Sequence, residues 1–211
     1  AAKYLDQMAV HYYPIQFASI GDKVREVRTI LQQHGVGHLP LVIPEAGYWS
    51  DPAASSSEAQ QAARLVKYYV EALSLDVAYL SWFTVLDSGP GTESSGLFRG
   101  SDLNSPKPAY AAYHTITREL AGAHFARTVN QPNAAGGVFR MPSGLEKSVV
   151  WATAGSADVS FPYRCVRVVD TTGAVTPAVG DGTPGVDQDG QVNNVVTLRV
   201  SDNPVYVEAC R

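Results

Sequence analysis

The stretch Leu39-Pro40-Leu41-Val42-Ile43-Pro44-Glu45-Ala46-Gly47-Tyr48-Trp49 decides how the chain reads. Its apolar run is short, unbroken and bounded by proline and glycine, as in a strand buried on both faces of a parallel sheet. Glu45 closes that run. A carboxylate at the end of a buried strand carries a large desolvation penalty unless it is used or paired, so the position suits chemistry as well as a cap or salt bridge at a loop start.

The same grammar extends outward from this stretch. Residues 8–13 and 77–83 are similar apolar runs, and each of the three runs is followed by a helical pattern. Residues 22–34 align Val24, Val27, Leu31 and His34 and stop at Gly35, a left-handed cap residue. Residues 57–75 align Ala62, Leu65, Val66, Tyr69 and Leu73, with Ser55 and Glu58 offering a capping box. A third helix follows Pro106 and Pro108, aligns Tyr110, Tyr113, Thr117 and Leu120, and ends at Gly122. Successive strand–helix units require right-handed parallel crossovers, so residues 1–122 form either an open α/β layer or an arc of a barrel. Three such strands leave two raw edges, which something else must complete.

After Gly122 the pattern changes to short alternating runs at 137–140, 147–153, 165–170, 195–200 and 205–209, separated by turn signals such as Asp181-Gly182 and Asp189-Gly190. Residues 123–211 therefore read as a small antiparallel β-sandwich, with 176–194 as a long surface loop and Trp151 in its core. Cys165 and Cys210 are the only 2 cysteines; either they are bridged, as in an exported protein, or they are two buried thiols.

Composition narrows the function classes. The 211 residues are 45% hydrophobic and 17% charged, a globular balance, and the net charge of -4 with scattered Lys and Arg offers no field for nucleic acid or an anionic membrane. No apolar run is long enough to span a bilayer, and the N-terminus lacks the basic-then-apolar order of a signal peptide, as expected if the chain starts in the middle of a fold. No metal or cofactor is implied. His34 and His38 flank Gly35 and Gly37 but lie where a parallel strand begins, the end associated with stability. His114 and His124 read as surface or packing residues.

Catalytic groups in parallel α/β sheets gather where the strands end. Here those ends carry His11 and Tyr13, then Glu45, then Trp82, so an imidazole, a phenol, a carboxylate and an indole converge on one cleft. Trp49, just beyond Glu45, either lines that cleft or packs in its loop. An aromatic platform beside a tuned carboxylate suits a sugar.

On these residues the chain resembles strands six to eight of the (β/α)8 barrels of retaining clan A glycoside hydrolases, of the β-xylosidase and cellulase type in families five and thirty-nine. Pro44-Glu45-Ala46-Gly47-Tyr48 resembles the motif in which the strand-seven Glu is the nucleophile, and His11-x-Tyr13 resembles the pair that contacts substrate and hydrogen-bonds that Glu. Trp82 resembles the strand-eight Trp beneath the attacked sugar, and many such enzymes carry a trailing β-sandwich. The resemblance implies an oligosaccharide, polysaccharide or small glycoside as substrate, and a missing N-terminal barrel portion, or another chain, as the partner that completes the sheet.

It also exposes a gap. Retaining glycosidases need two carboxyl groups roughly 5 to 5.5 Å apart. In the resembled clan the acid/base Glu follows an Asn, and no Asn-Glu dipeptide occurs here. Asp51, Asp87 and Glu93 are conceivable substitutes but read better as loop carboxylates. The sequence thus leaves two functions open: the nucleophile half of a glycosidase, inactive alone, or a non-catalytic carbohydrate-binding or assembly module.

Overall fold

The computed structural model describes residues 4–14, 19–51 and 56–210. The chain divides into two compact units, Ala1–Tyr110 and Ala111–Arg211.

The first unit alternates strand and helix: β1 (Met8–Tyr12), α1 (Ile20–Gln33), β2 (Leu41–Ala46), α2 (Glu58–Ser74) and β3 (Val77–Trp82). The strands form a parallel sheet in the order β1-β2-β3. Its core joins Tyr12, Leu41, Ile43 and Ala46 of the sheet to Ile20, Val24, Val27 and Leu31 of α1 and to Tyr68 and Ala72 of α2. β2 is buried on both faces along Leu41-Val42-Ile43, as its sequence predicts. The flanking strands are not. Ala9 and His11 of β1 and Ala78, Tyr79 and Ser81 of β3 are exposed, because the helices cover one face of these edge strands and no described element covers the other.

The helix ends show local chemistry at work. Ser19 caps α1 by accepting from the Asp22 amide, and the helix stops before Gly35, whose φ of 71° suits glycine. His34 caps the C-terminus and is exposed rather than facing the core. The box that starts α2 is made by Ser57 and Gln60; Ser55 lies outside the described residues. On α2 the stripe tilts toward Gln61, Ala62, Leu65, Val66 and Tyr68, leaving Leu73 39% exposed.

The helix α3 (Pro108–Glu119) buries Ala109, Ala112, Thr115, Ile116 and Glu119. Tyr110 and Thr117, expected inside, are exposed. The small side chains Ala109 and Ala112 mark the buried face.

The second unit is antiparallel. A six-stranded sheet has the order β4-β5-β6-β11-β8-β9, built from β4 (His124–Thr128), β5 (Ala134–Arg140), β6 (Glu146–Ala152), β8 (Cys165–Val169), β9 (Val175–Gly180) and β11 (Val205–Ala209). A two-stranded sheet pairs β7 (Ser156–Phe161) with β10 (Val196–Ser201). The two sheets share a core in which Val150, Val166, Val179 and Val207 meet Val159, Phe161, Val196 and Leu198. Trp151 is buried at 7% exposure. Residues 176–180, read from sequence as the start of a loop, belong to β9, which pairs with β8; loop character begins at Asp181, whose carboxylate accepts from the Asn193 and Asn194 amides. Cys165 and Cys210 form a disulfide.

Candidate active site

The site lies where β1, β2 and β3 end. Parallel pairing sets His11 beside Glu45, and one residue later sets Tyr12 beside Ala46, which in turn pairs with Trp82. On β1 alternation separates the roles, and on β2 a register irregularity between Ile43 and Ala46 offsets the alternation that Leu41 and Ile43 begin. Tyr12 and Ala46 enter the core, whereas His11 and Glu45 lie on the face that α1 and α2 leave uncovered.

Glu45 is held from two sides. The Tyr13 hydroxyl donates to its Oε1, and His11 Nδ1 stands 3.5 Å from its Oε2. The carboxylate remains 30% exposed, so it is gripped yet reachable. Burial, together with the bond to Glu45 and its negative charge, drives the Tyr13 phenol well above its ordinary range, so Tyr13 remains a donor at any physiological pH. A donor with a fixed proton, aimed at one carboxylate oxygen, fixes the orientation of the carboxylate.

Gly47 makes the junction possible. A Cβ there would stand 2.6 Å from the Phe83 carbonyl and 3.1 Å from the Tyr13 ring. The Phe83 amide donates to the Ala46 carbonyl at 2.8 Å and the Gly47 amide to the Tyr12 carbonyl at 3.4 Å, which ties the strand ends together.

Four aromatic side chains, Tyr48, Trp49, Trp82 and Phe83, lie at or just beyond the ends of β2 and β3. Trp49 is half-buried and stacks on Tyr48 with centroids 5.7 Å apart, and Arg64 lies over the Tyr48 ring. Trp82 donates its indole N–H to the Ser95 carbonyl at 2.9 Å and packs 6.2 Å from Tyr68, which anchors it on the core side. Phe83, which directly follows Trp82, is 45% exposed and set edge-on to Tyr13 at 6.4 Å.

The loops behind the site are locked by buried polar groups that pattern alone does not reveal. Lys107, 2% exposed, pairs with Asp87 at 2.6 Å and donates to Ser50 Oγ and the Ser94 carbonyl. Gln61, fully buried in α2, donates to the carbonyls of Tyr48, Ser94 and Gly96. Asp87, one of the conceivable second carboxylates, is thus committed to Lys107 and to the Gly96 amide. His34, His38, His114 and His124 are all exposed, and no group of three or more His, Cys, Asp or Glu is placed to hold a metal among the described residues.

The fold is shared with solved glycoside hydrolases. A family 39 glycoside hydrolase from Bacteroides cellulosilyticus WH2 superposes with a TM-score of 0.74 at 18% identity, over 98% of this chain and 45% of that one. A family 39 β-xylosidase from Caulobacter crescentus gives 0.57 at 17% identity, over 97% and 51%. The family 30 xylanase C from Talaromyces cellulolyticus gives 0.57 at 13%, over 98% and 46%. The chain spans about half the length of these proteins. No protein-family profile matches it, and no curated protein sequence does.

Proposed function

We propose that the chain is the nucleophile-bearing, C-terminal part of a (β/α)8-barrel retaining glycoside hydrolase, with β1, β2 and β3 as the last three strands of the barrel. One observation carries this reading: a reachable carboxylate, Glu45, held by Tyr13 and flanked by His11 at the ends of adjacent parallel strands. In double displacement Glu45 attacks the anomeric carbon while a general acid protonates the departing glycosidic oxygen. Water, deprotonated by the same group, then hydrolyses the glycosyl ester. Tyr13 orients the nucleophile, and His11 contacts substrate. Trp49, Trp82 and Phe83 supply aromatic surface for the sugar. The acid/base comes from outside these residues, with the rest of the barrel.

The test is turnover of aryl glycosides by the intact enzyme containing this chain, with and without Glu45→Gln. Loss of about 10³-fold or more is expected on removing a covalent nucleophile. An activated fluoro-sugar should add its mass to the peptide carrying Glu45, and label on a different peptide would refute the assignment.

The commitment of Asp87 to Lys107 favours one alternative, a module that binds saccharide or assembles through its open sheet without turnover. Saccharide binding by the intact protein, with no hydrolysis and no labelling, would select it.

A further inference from the structure

We propose that the second unit holds a separate binding site for a carboxylate on a sugar-sized ligand, in the cavity between the last turn of α3 and strands β6, β8 and β11. The cavity has a volume of about 640 Å³, and its charged lining comprises Arg118, Glu119, Lys147, Arg167 and Glu208. A space of this size lies within the range of roughly 300 to 1,000 Å³ typical of small-molecule sites. Met141 and Pro142 provide an apolar wall, and Ser143 stands at an exposed turn on the rim.

The strand register builds the charged floor. Glu208 pairs with Lys147 on one side and Arg167 on the other, so all three side chains rise from one face of the sheet. Helix α3 lays Glu119 over them. Lys147 Nζ lies 2.5 Å from Glu119 Oε2 and 3.3 Å from Glu208 Oε2, while Arg167 lies 2.8 Å from Glu208 Oε1 and 3.5 Å from Glu119 Oε2. Arg118 meets Glu119 Oε1 at 3.1 Å.

Three cations against two carboxylates leave a local charge of +1 (3 − 2). A purely structural lock would be expected to balance its charges and close its space, because buried ion pairs add little stability over apolar packing. This cluster does neither. Arg167 bonds only through Nη1, leaving Nε and Nη2 without an acceptor among the described residues, and Arg118 leaves Nη1 similarly available. A guanidinium with a free forked edge matches a planar carboxylate. The carbonyl end of α3 absorbs part of the Arg118 charge. Arg167, 35% exposed, is therefore the principal anchor. The two carboxylates would receive hydroxyls only through rearrangement, so the free donors favour a monoanion over a neutral sugar.

Calorimetric titration of the intact protein containing this chain with sodium glucuronate, glucose and inorganic phosphate tests this. Glucuronate should bind in the range of about 1 mM or tighter, at least about tenfold more tightly than glucose or phosphate. Binding should fall about tenfold or more in Arg167→Met. If that variant loses its fold by circular dichroism, Ser143→Tyr decides the matter, because it fills the rim from an exposed turn without touching the ion pairs. Failure of glucuronate to bind at 10 mM, equal binding of glucose, tighter binding of phosphate, or undiminished binding in Ser143→Tyr would each overturn the proposal.

Discussion

The geometry around Glu45 in the first unit turns on one hydroxyl. Tyr13 contributes little to the core but provides the bond that holds Glu45 in place, and its raised pKa keeps that proton on the phenol. Tyr13→Phe keeps the ring and its edge contact with Phe83 while removing the donor. On the glycosidase reading, kcat in the intact enzyme should fall about 10- to 100-fold, as expected for a hydrogen bond to a charged group worth roughly 1.5–3 kcal/mol. Far-UV circular dichroism should show the fold retained. A variant that turns over at the wild-type rate would remove Tyr13 from the site. Gly47→Ala makes the complementary case, since a methyl group 2.6 Å from the Phe83 carbonyl forces the strand ends apart. It should lower unfolding free energy by about 1–3 kcal/mol, measured in urea. His11, Tyr13 and Glu45 were legible in sequence because each sits at a strand end. The contact of Phe83 with Tyr13 was not, because it joins the ends of strands that are far apart in sequence.

Elements were legible where burial dictates pattern and illegible where pairing does. The run Leu41-Val42-Ile43 has no reading other than a buried strand, and its prediction held. β4 and β7 carry Ala, Ser, Asp, Arg and Thr at exposed positions, so their sequences lack a continuous apolar signal; their strand character comes from the ladders they join. The α3 stripe was misplaced because Tyr weighs more than Ala in any hydrophobic count, whereas close packing selected Ala109 and Ala112. Polar locks between loops are equally invisible. Lys107 holds the segments around Ser50, Asp87 and Ser94 from a position 2% exposed. Lys107→Met should therefore cost about 2–4 kcal/mol, the price of leaving the part-buried Asp87 carboxylate without its cation. Urea unfolding monitored by tryptophan fluorescence measures it, and a loss under about 1 kcal/mol would show the pair to be dispensable.

Over the molecule as a whole, stability divides between charge and covalent closure. Burial alone would raise the Glu119 carboxyl, but the hydrogen bond and charge of Lys147, with Arg118 and Arg167 nearby, outweigh it and leave the group below its ordinary range. A carboxyl depressed by folding stabilises the native state above its unfolded pKa of about 4.3, and that contribution disappears as pH falls through the folded value. Glu119→Gln should thus be less stable than the wild type at pH 7, and the gap should narrow toward pH 3; a gap independent of pH would show that the charge is not responsible. The disulfide acts at every pH. Cys165 and Cys210 are separated by 45 residues, so the bridge closes a loop that includes β8 to β11. Restricting an unfolded loop of that length is worth about 4 kcal/mol on the chain-entropy account. Such a bridge persists in oxidising compartments. Reduction, or the paired change Cys165→Ala and Cys210→Ala, should lower the thermal midpoint by more than about 10 °C for a unit of this size. A melt unchanged by reductant, in protein whose thiols then titrate as free, would mean that the valine-rich core alone holds the second unit together.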